Sequence, residues 1–240
     1  ENHEKFLRAL NDGFVVSTEF LKDSANSDDE DFDELLDVSE EAVDAELYDR
    51  DQLREDVESD LEKLREIREP LKKINPRTDT KLNELVKQLE VIASDARAEA
   101  TSREDATNKR KVLIFSFFTD TVSWINERLR YEIDNNTTLS AYKNRLEIVT
   151  GSRTGDEGDK SSAAARFAPR TAGKPGDPDE TDILICTDVL AEGVNLQQSR
   201  HIINYDMPWN PMRLVQRHGR IDRIGSEHSR VYLRTIFPTD

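Results

Sequence analysis

Residues 182–225 read DILICTDVLAEGVNLQQSRHIINYDMPWNPMRLVQRHGRIDRIG. The apolar run Ile183-Leu184-Ile185-Cys186 ends in Thr187-Asp188, as a buried strand does when it runs out into a loop. A short turn carrying Gly193 and Asn195 leads to a second apolar run that ends at Tyr205-Asp206. The pattern then becomes helical, and its period predicts a helix over 210–223. At about 100° per residue, Arg213, Gln216, Arg220 and Arg223 fall within roughly 80° of one another, with Leu214 and Ile221 nearly opposite. Such a helix buries one face and offers a guanidinium stripe on the other. Planar guanidinium forks match phosphate oxygens, so the stripe suits a triphosphate or a nucleic-acid backbone.

Outward from this stretch, strands are predicted at 112–117, 146–150, 182–187, 201–205 and 231–236, and helices at 119–131, 161–167 and 210–223. Another helix over 80–98 carries Leu82, Leu85, Val86, Leu89, Ile92 and Ala93 on one face. This alternation predicts an α/β fold in which a mostly parallel sheet is flanked by helices. Residues 1–76 read differently. A helix is expected over 1–22, an acidic disordered linker over 24–33, and a long amphipathic helix over 40–74. That last helix starts near Ser39 with Glu40 and Glu41 in its first turn and kinks or ends at Pro70. Arg50 and Arg54 interrupt its apolar seam, favouring packing onto its own domain over a coiled coil.

Composition narrows the class. The 240 residues carry a net charge of −16 with 35% hydrophobic residues, which fits one packed core plus a polar helical appendage. So acidic a chain is not a generic nucleic-acid-binding domain, so any such contact must be local. With 22 Arg against 12 Lys, the acid-rich surface looks like that of proteins from salt-loving organisms, although solvated acidic loops over 28–62 and 154–182 would read the same way. No apolar run approaches the ~20 residues needed to span a bilayer, and no signal peptide opens the sequence, so no membrane partner and a cytoplasmic location are expected. The lone Cys186 reads as a buried structural thiol. His201 and His218 lack ligand spacing with Cys or another His, so no metal site is expected.

Thr187-Asp188 with Gly193, and Gln216-Arg217-His218-Gly219-Arg220-Ile221-Asp222-Arg223, resemble motifs V and VI of superfamily 2 helicases. The continuation Ile224-Gly225 resembles the Swi/Snf branch, and residues 204–225 resemble its RapA/HepA-like bacterial and archaeal members. Upstream, KVLIFSF at 111–117 resembles motif IV, while 148–152 and Arg166-Phe167 resemble the intervening blocks. The resemblance covers roughly 79–238. It implies a second RecA-like lobe at 77–240, preceded by a helical protrusion at 1–76.

The same resemblance implies a site. Arg220 and Arg223 match the arginine fingers of motif VI, which supply positive charge against the transferred phosphoryl group. The alternative for either is a structural brace to Asp206 or Asp222. Gln216 orients the stripe or touches nucleotide, and Gly193 and Asn195 line the interlobe cleft. Ser116, Thr150, Gly151 and Thr187 stand at strand ends, where hydroxyls and N–H groups grip phosphates without reading bases or else merely cap helices. Trp209 is read as loop packing in preference to base stacking, Thr119-Asp120 as a helix cap, and Phe115, Phe118 and Trp124 as core.

The sequence contains no G-x-x-x-x-G-K-[ST] loop and no Asp-Glu box, since the acidic run 28–33 is not at a strand end. ATP with Mg is therefore expected to be bound mainly by a first lobe missing from this sequence. The chain reads as the C-terminal half of an ATP-dependent translocase or helicase, excised or working with its N-terminal RecA-like lobe and inactive by itself. Its expected partner is nucleic acid, duplex DNA favoured. The alternative is a non-catalytic binding or regulatory module whose residues 1–76 recruit a protein. If the acidic surface is a high-salt adaptation, the melting temperature rises as KCl increases from low to molar concentration, and a flat or falling curve rules that out.

Overall fold

The computed structural model describes residues 2–24, 32, 35, 36, 39, 41–151, 157–190, 193–223, 226 and 228–237. Most of the expected acidic linker, Ser152 and the Ile224-Gly225 pair lie outside them. The chain divides into two compact units, residues 1–74 and 75–240.

The first unit runs α1 (Asn2–Asn11), β1 (Phe14–Val16), α2 (Thr18–Asp23), β2 (Ala42–Asp44) and α3 (Arg50–Leu71). Neither expected helix has its predicted extent. The one over 1–22 breaks at Gly13, whose φ of +94° costs a residue without Cβ little. Phe14–Val16 instead pairs antiparallel with Ala42–Asp44. The helix over 40–74 consequently begins at Arg50, capped by Asp49 Oδ1 accepting from Gln52 N at 3.0 Å, and not at Ser39. The deciding partner of β2 lies far back along the chain, where no local period registers it. Pro70, which removes an N–H from the ladder, sits one residue before α3 ends.

The arginines that interrupt the seam reach the end of α1. Arg50 donates to Leu10 O at 2.9 Å and Arg54 to Asn11 Oδ1 at 2.6 Å, placing positive charge at the negative helix terminus. The small core of this unit gathers Ala9, Val16, Phe20, Leu21, Phe32 and Leu36. No residue of α3 is buried, and Leu64, Ile67, Leu71 and Ile74 are exposed.

The second unit opens with α4 (Thr80–Glu99) and α5 (Arg103–Arg110). The Asp79 carboxylate caps α4, accepting from Lys81 N and Leu82 N. Nothing in an apolar period announces α5, whose sequence REDATNKR has one apolar residue. It is started by Ser102 Oγ, which accepts from Asp105 N at 3.0 Å, while Asp105 Oδ2 accepts from Thr101 N at 2.8 Å. There follow β3 (Val112–Phe115), α6 (Thr119–Asn135), β4 (Leu146–Val149), α7 (Glu157–Phe167), α8 (Pro169–Ala172), β5 (Ile183–Cys186), β6 (His201–Asn204), α9 (Pro211–His218) and β7 (Tyr232–Thr235).

The five strands form one sheet in the order β4-β5-β3-β6-β7, every neighbouring pair parallel. This is the expected α/β architecture of a RecA-like lobe. Strand alternation divides the core. Val112, Ile114, Ile183, Ile185 and Ile203 pack under α4 and α6, against Leu82, Leu89, Val122 and Leu129 among others. Leu113, Phe115, Leu184, Cys186 and Ile202 face the other way, against Ala163, Ala164 and Phe167 of α7 together with Leu196 and Ile221. Cys186 is fully buried, and burial raises its thiol pKa, so it is an inert structural thiol.

Two aromatic expectations part company. Trp124 packs against the first core and donates Nε1–H to Asp79 Oδ2 at 3.1 Å. Phe118 is 60% exposed and is not core. It also holds the N-cap position of α6 without a side-chain bond, so Thr119-Asp120 is not the cap.

At the start of β6, the buried His201 ring stacks on Tyr232 with centroids 4.9 Å apart. Its Nε2 lies 3.0 Å from Lys109 O and its Nδ1 2.9 Å from Arg234 Nη1, which suits a neutral ring protonated at Nε2. Burial, followed by repulsion from Arg234 and Arg200, pushes its pKa down to about 3. The unfolded chain therefore takes up this proton first, so the stabilising contribution is complete above the unfolded value and is lost as pH falls toward the folded one. Unfolding free energy measured in urea should fall by up to about 1.36 kcal/mol per pH unit from this group, from about pH 6.5 to about pH 4. A His201→Gln variant should show a correspondingly flatter profile over that range.

Candidate nucleotide and nucleic-acid interface

Because the sheet is parallel, Ser116 after β3, Thr150-Gly151 after β4, Thr187-Asp188 after β5 and Asp206 after β6 all stand on one edge. Beside β3 the connections depart in opposite directions, which leaves the crevice where open α/β sheets bind ligands. Ser116 N donates to Cys186 O at 3.0 Å, Thr187 N to Val149 O at 3.2 Å, and Gly151 N to Thr187 Oγ1 at 3.3 Å. Gly151 is exposed and Thr150 and Thr187 half-buried, so these three offer a contiguous polar lip. Ser116 does not join it. Its side chain is fully buried and its hydroxyl donates to Asp206 Oδ2 at 2.5 Å.

Asp206 also accepts from Phe117 N at 3.3 Å and pairs with Lys81 Nζ at 3.1 Å. Lys81 lies over the Tyr205 ring, 4.2 Å from its centroid. The first turn of α4 is thereby fastened to the end of β6.

The central side chain of this edge is Arg217, which the guanidinium stripe did not include. It is fully buried, with Cζ 4.9 Å from the Phe115 ring centroid. Its Nε donates to Asp188 Oδ1 at 2.6 Å and its Nη1 to Asn204 Oδ1 at 3.1 Å and Asp206 O at 3.2 Å. Arg213 Nη1 holds the other Asp188 oxygen at 2.7 Å. Burial alone would raise the Asp188 carboxyl, but the bonds from Arg217 and Arg213 outweigh it and hold the carboxyl below the ordinary carboxylate range. The signal for Arg217 was in the sequence. It lies three residues after Leu214 and four before Ile221, on the face expected to be buried.

The stripe itself is corrected. α9 ends at His218, with Gly219 as C-cap, so Arg220 and Arg223 are not on a helix. The chain turns there because Ile221 is drawn into the second core. That turn lies against the 193–196 loop. Leu196 N donates to Arg220 O at 3.0 Å, Arg220 Nη1 donates to Val194 O at 3.1 Å, and Arg220 Nε to Gln216 O at 3.2 Å. Gly193, Asn195, Gln216 and Arg220 are thus brought together. Gly193 has φ +84° and open space around it, so backbone conformation and not close approach requires the glycine. The Asn195 amide is turned inward, with Nδ2 donating to Gln197 Oε1 at 2.9 Å. Gln216 and Arg223 are exposed, and the Arg223 side chain has no bonded partner among the described residues, its backbone carbonyl accepting from Ser226 N at 3.2 Å.

Trp209 is 103% exposed, so it does not pack the loop as expected. Phe117, Phe118, Met207 and Met212 are exposed on the same edge.

Residues 93–225 match the model of the helicase conserved C-terminal domain, more than half the chain. The chain belongs to that family. It is 30% identical over 121 residues to the RNA polymerase-associated protein RapA of Stutzerimonas stutzeri, covering 50% of this chain and 11% of that protein. It is 62% identical over 45 residues to the ATP-dependent helicase YqhH of Bacillus subtilis, covering 19% of this chain and 8% of the relative. The C-terminal part of the Fun30 ATPase domain aligns with a TM-score of 0.46 and 22% identity, covering 78% of this chain and 53% of that structure. The match bears out the Swi/Snf-type, RapA-like resemblance. Among the described residues no helix is long and apolar enough to cross a membrane.

In this helicase C-terminal domain the Arg217 guanidinium is structural. Arg217→Met, which keeps bulk but strands Asp188 beside one remaining partner, should destabilise the chain by about 3 kcal/mol or more in urea. Arg223→Ala, exposed as that residue is, should stay within roughly 0.5 kcal/mol of the parent.

Proposed function

We propose that this domain is the C-terminal motor lobe of an ATP-dependent translocase acting on nucleic acid, with duplex DNA as its track. The observation that carries the reading is the placement of Arg220 against the 193–196 loop, with Arg223 exposed beside it, on the ligand-binding edge of the sheet. A guanidinium supplied from outside the phosphate-gripping lobe assists hydrolysis only when the two lobes close, so it must stand at a surface and be aimed by its backbone. Arg220 is aimed by two carbonyls, Val194 O and Gln216 O.

ATP with Mg would be held mainly by a first lobe, since this sequence carries no Walker-type loop. From this side Gly193, Asn195 and Gln216 would border the nucleotide, and Arg220 and Arg223 would stabilise the charge that develops on the phosphoryl group. The lip formed by Thr150, Gly151 and Thr187 would hold backbone phosphates without reading sequence, and Ser116 would act behind it by fixing Asp206. The exposed Trp209 offers a flat apolar surface at the same edge, suited to a groove or an unstacked base. A second reading, in which residues 1–74 recruit a protein partner, is favoured by the exposed row Leu64, Ile67, Leu71 and Ile74.

The test uses the parent protein with saturating duplex DNA. Arg220→Ala or Arg223→Ala should lower the catalytic constant by roughly a thousandfold or more while nucleotide affinity falls far less, and Lys should rescue poorly because a point charge does not reproduce the fork. Near-normal turnover in both Ala variants would return these residues to a bracing role. The 240-residue chain alone should show no DNA-stimulated hydrolysis.

A further inference from the structure

The opposite edge of the same sheet holds a cavity that the motor reading does not use. Its volume is about 720 Å³, within the range of small-molecule sites, and it lies where β3, β4 and β5 begin. Arg103, Arg110, Arg145, Arg170 and Lys174 line it, against Glu104, Asp177 and Asp179. In a chain of net charge −16, a cavity walled by more cations than anions is an exception that calls for a cause.

Two of the guanidiniums are fixed from behind. Asp182, fully buried, receives Arg110 Nε at 2.7 Å and Arg145 Nε at 2.8 Å, and Arg145 Nη2 reaches Asp182 Oδ1 at 2.9 Å and Asp179 Oδ1 at 2.6 Å. The buried Lys111 completes the network, with Nζ 2.8 Å from Asp179 Oδ1. Asp182 thus lies in ion-pair contact with Nε and Nη2 of both arginines, Arg110 Nη2 at 2.6 Å, the hydrogen bonds coming from Arg110 Nε and Arg145 Nη2, and neither Nη1 has a partner among the described residues. Both side chains keep some access to solvent, 17% for Arg110 and 24% for Arg145.

The acids are already committed. Asp179 also accepts from Gln198 Nε2 at 3.0 Å, Asp177 Oδ2 accepts from Lys174 N at 2.7 Å, and Glu104 takes Arg170 at 2.5 Å. Arg103 and Lys174 have no carboxylate partner among the described residues. Lys174 is presented by a tight turn, in which Asp177 N donates to Lys174 O at 3.0 Å and Gly176 has φ +94°. An ion network that only anchored the strand starts would need neither of these two residues, nor an open cavity in front of the arginines.

We infer that this cavity binds a compact polyanion, a small molecule bearing two or three phosphates. Arg110 and Arg145 form its floor, preorganised by Asp182 so that little is lost in ordering them, and Arg103 and Lys174 close over it from the rim. The lining offers no aromatic ring on which a base could stack, so recognition rests on the phosphates. The concave shape favours a small ligand over the extended backbone of a nucleic acid.

Calorimetric titration of the full chain with inorganic tripolyphosphate, with short duplex DNA as a competitor, tests this. Saturable one-to-one binding is expected, weakened at least about tenfold by Arg103→Ala with Lys174→Ala, since two charge-assisted contacts are lost. Arg220→Ala with Arg223→Ala should leave it unchanged. Melting curves check folding, and if the double variant melts early, Arg103→Gln and Lys174→Gln tested singly should each weaken binding. No saturable binding, full binding by the rim variants, loss in the Arg220 and Arg223 variant, or displacement by DNA would each overturn the assignment. The result is independent of whether the arginines of the other edge assist hydrolysis.

Discussion

A fully buried guanidinium cannot stand alone, and the edge of this domain where the parallel strands end is arranged around that fact. Arg217 takes Asp188 at the end of β5, Asn204 in β6 and the carbonyl of Asp206 beyond it, while its flat face lies over Phe115 at the end of β3. Three adjacent strand ends and α9 are therefore tied to one side chain. Desolvating the charge is costly, and removing either partner would leave the other uncompensated, so the pair specifies one arrangement more than it adds net stability. With α9 anchored this way, the turn at Gly219 and the burial of Ile221 place Arg220 beside the 193–196 loop.

The same logic separates structural arginines from presented ones. Arg217 bonds inside the fold through Nε and Nη1, and Arg50 and Arg54 end on α1. Arg220 donates to two carbonyl oxygens that orient it, and Arg223 is exposed. At the far edge, Asp182 performs a comparable service for Arg110 and Arg145, fixing two nitrogens of each.

Much of the second unit was legible in the sequence. The apolar runs at 112–115 and 183–186 and the pair Ile202-Ile203 are short and bounded by polar residues, and parallel strands buried on both faces read that way. The lip of Thr150, Gly151 and Thr187 followed from strand ends alone. The first unit was less readable, because β1 and β2 are three residues each and exist only through pairing with one another. α5 was missed because it is polar all round, and Phe118 and Trp209 were misjudged because aromatic character does not say which side of a loop faces water.

The sequence by itself determined the α/β class, the strand order of events along the chain, and the residue types gathered in motifs V and VI, since hydrophobic period and residue chemistry are local properties. Tertiary structure alone decided that the helix stops at His218, that Ser116 is enclosed by Asp206, and that Asn195 turns its amide inward. Each of these depends on which distant group a polar side chain meets after the strands have come together. A buried donor must find its acceptor wherever the fold has put it, and that position is not written in the spacing of neighbours along the chain.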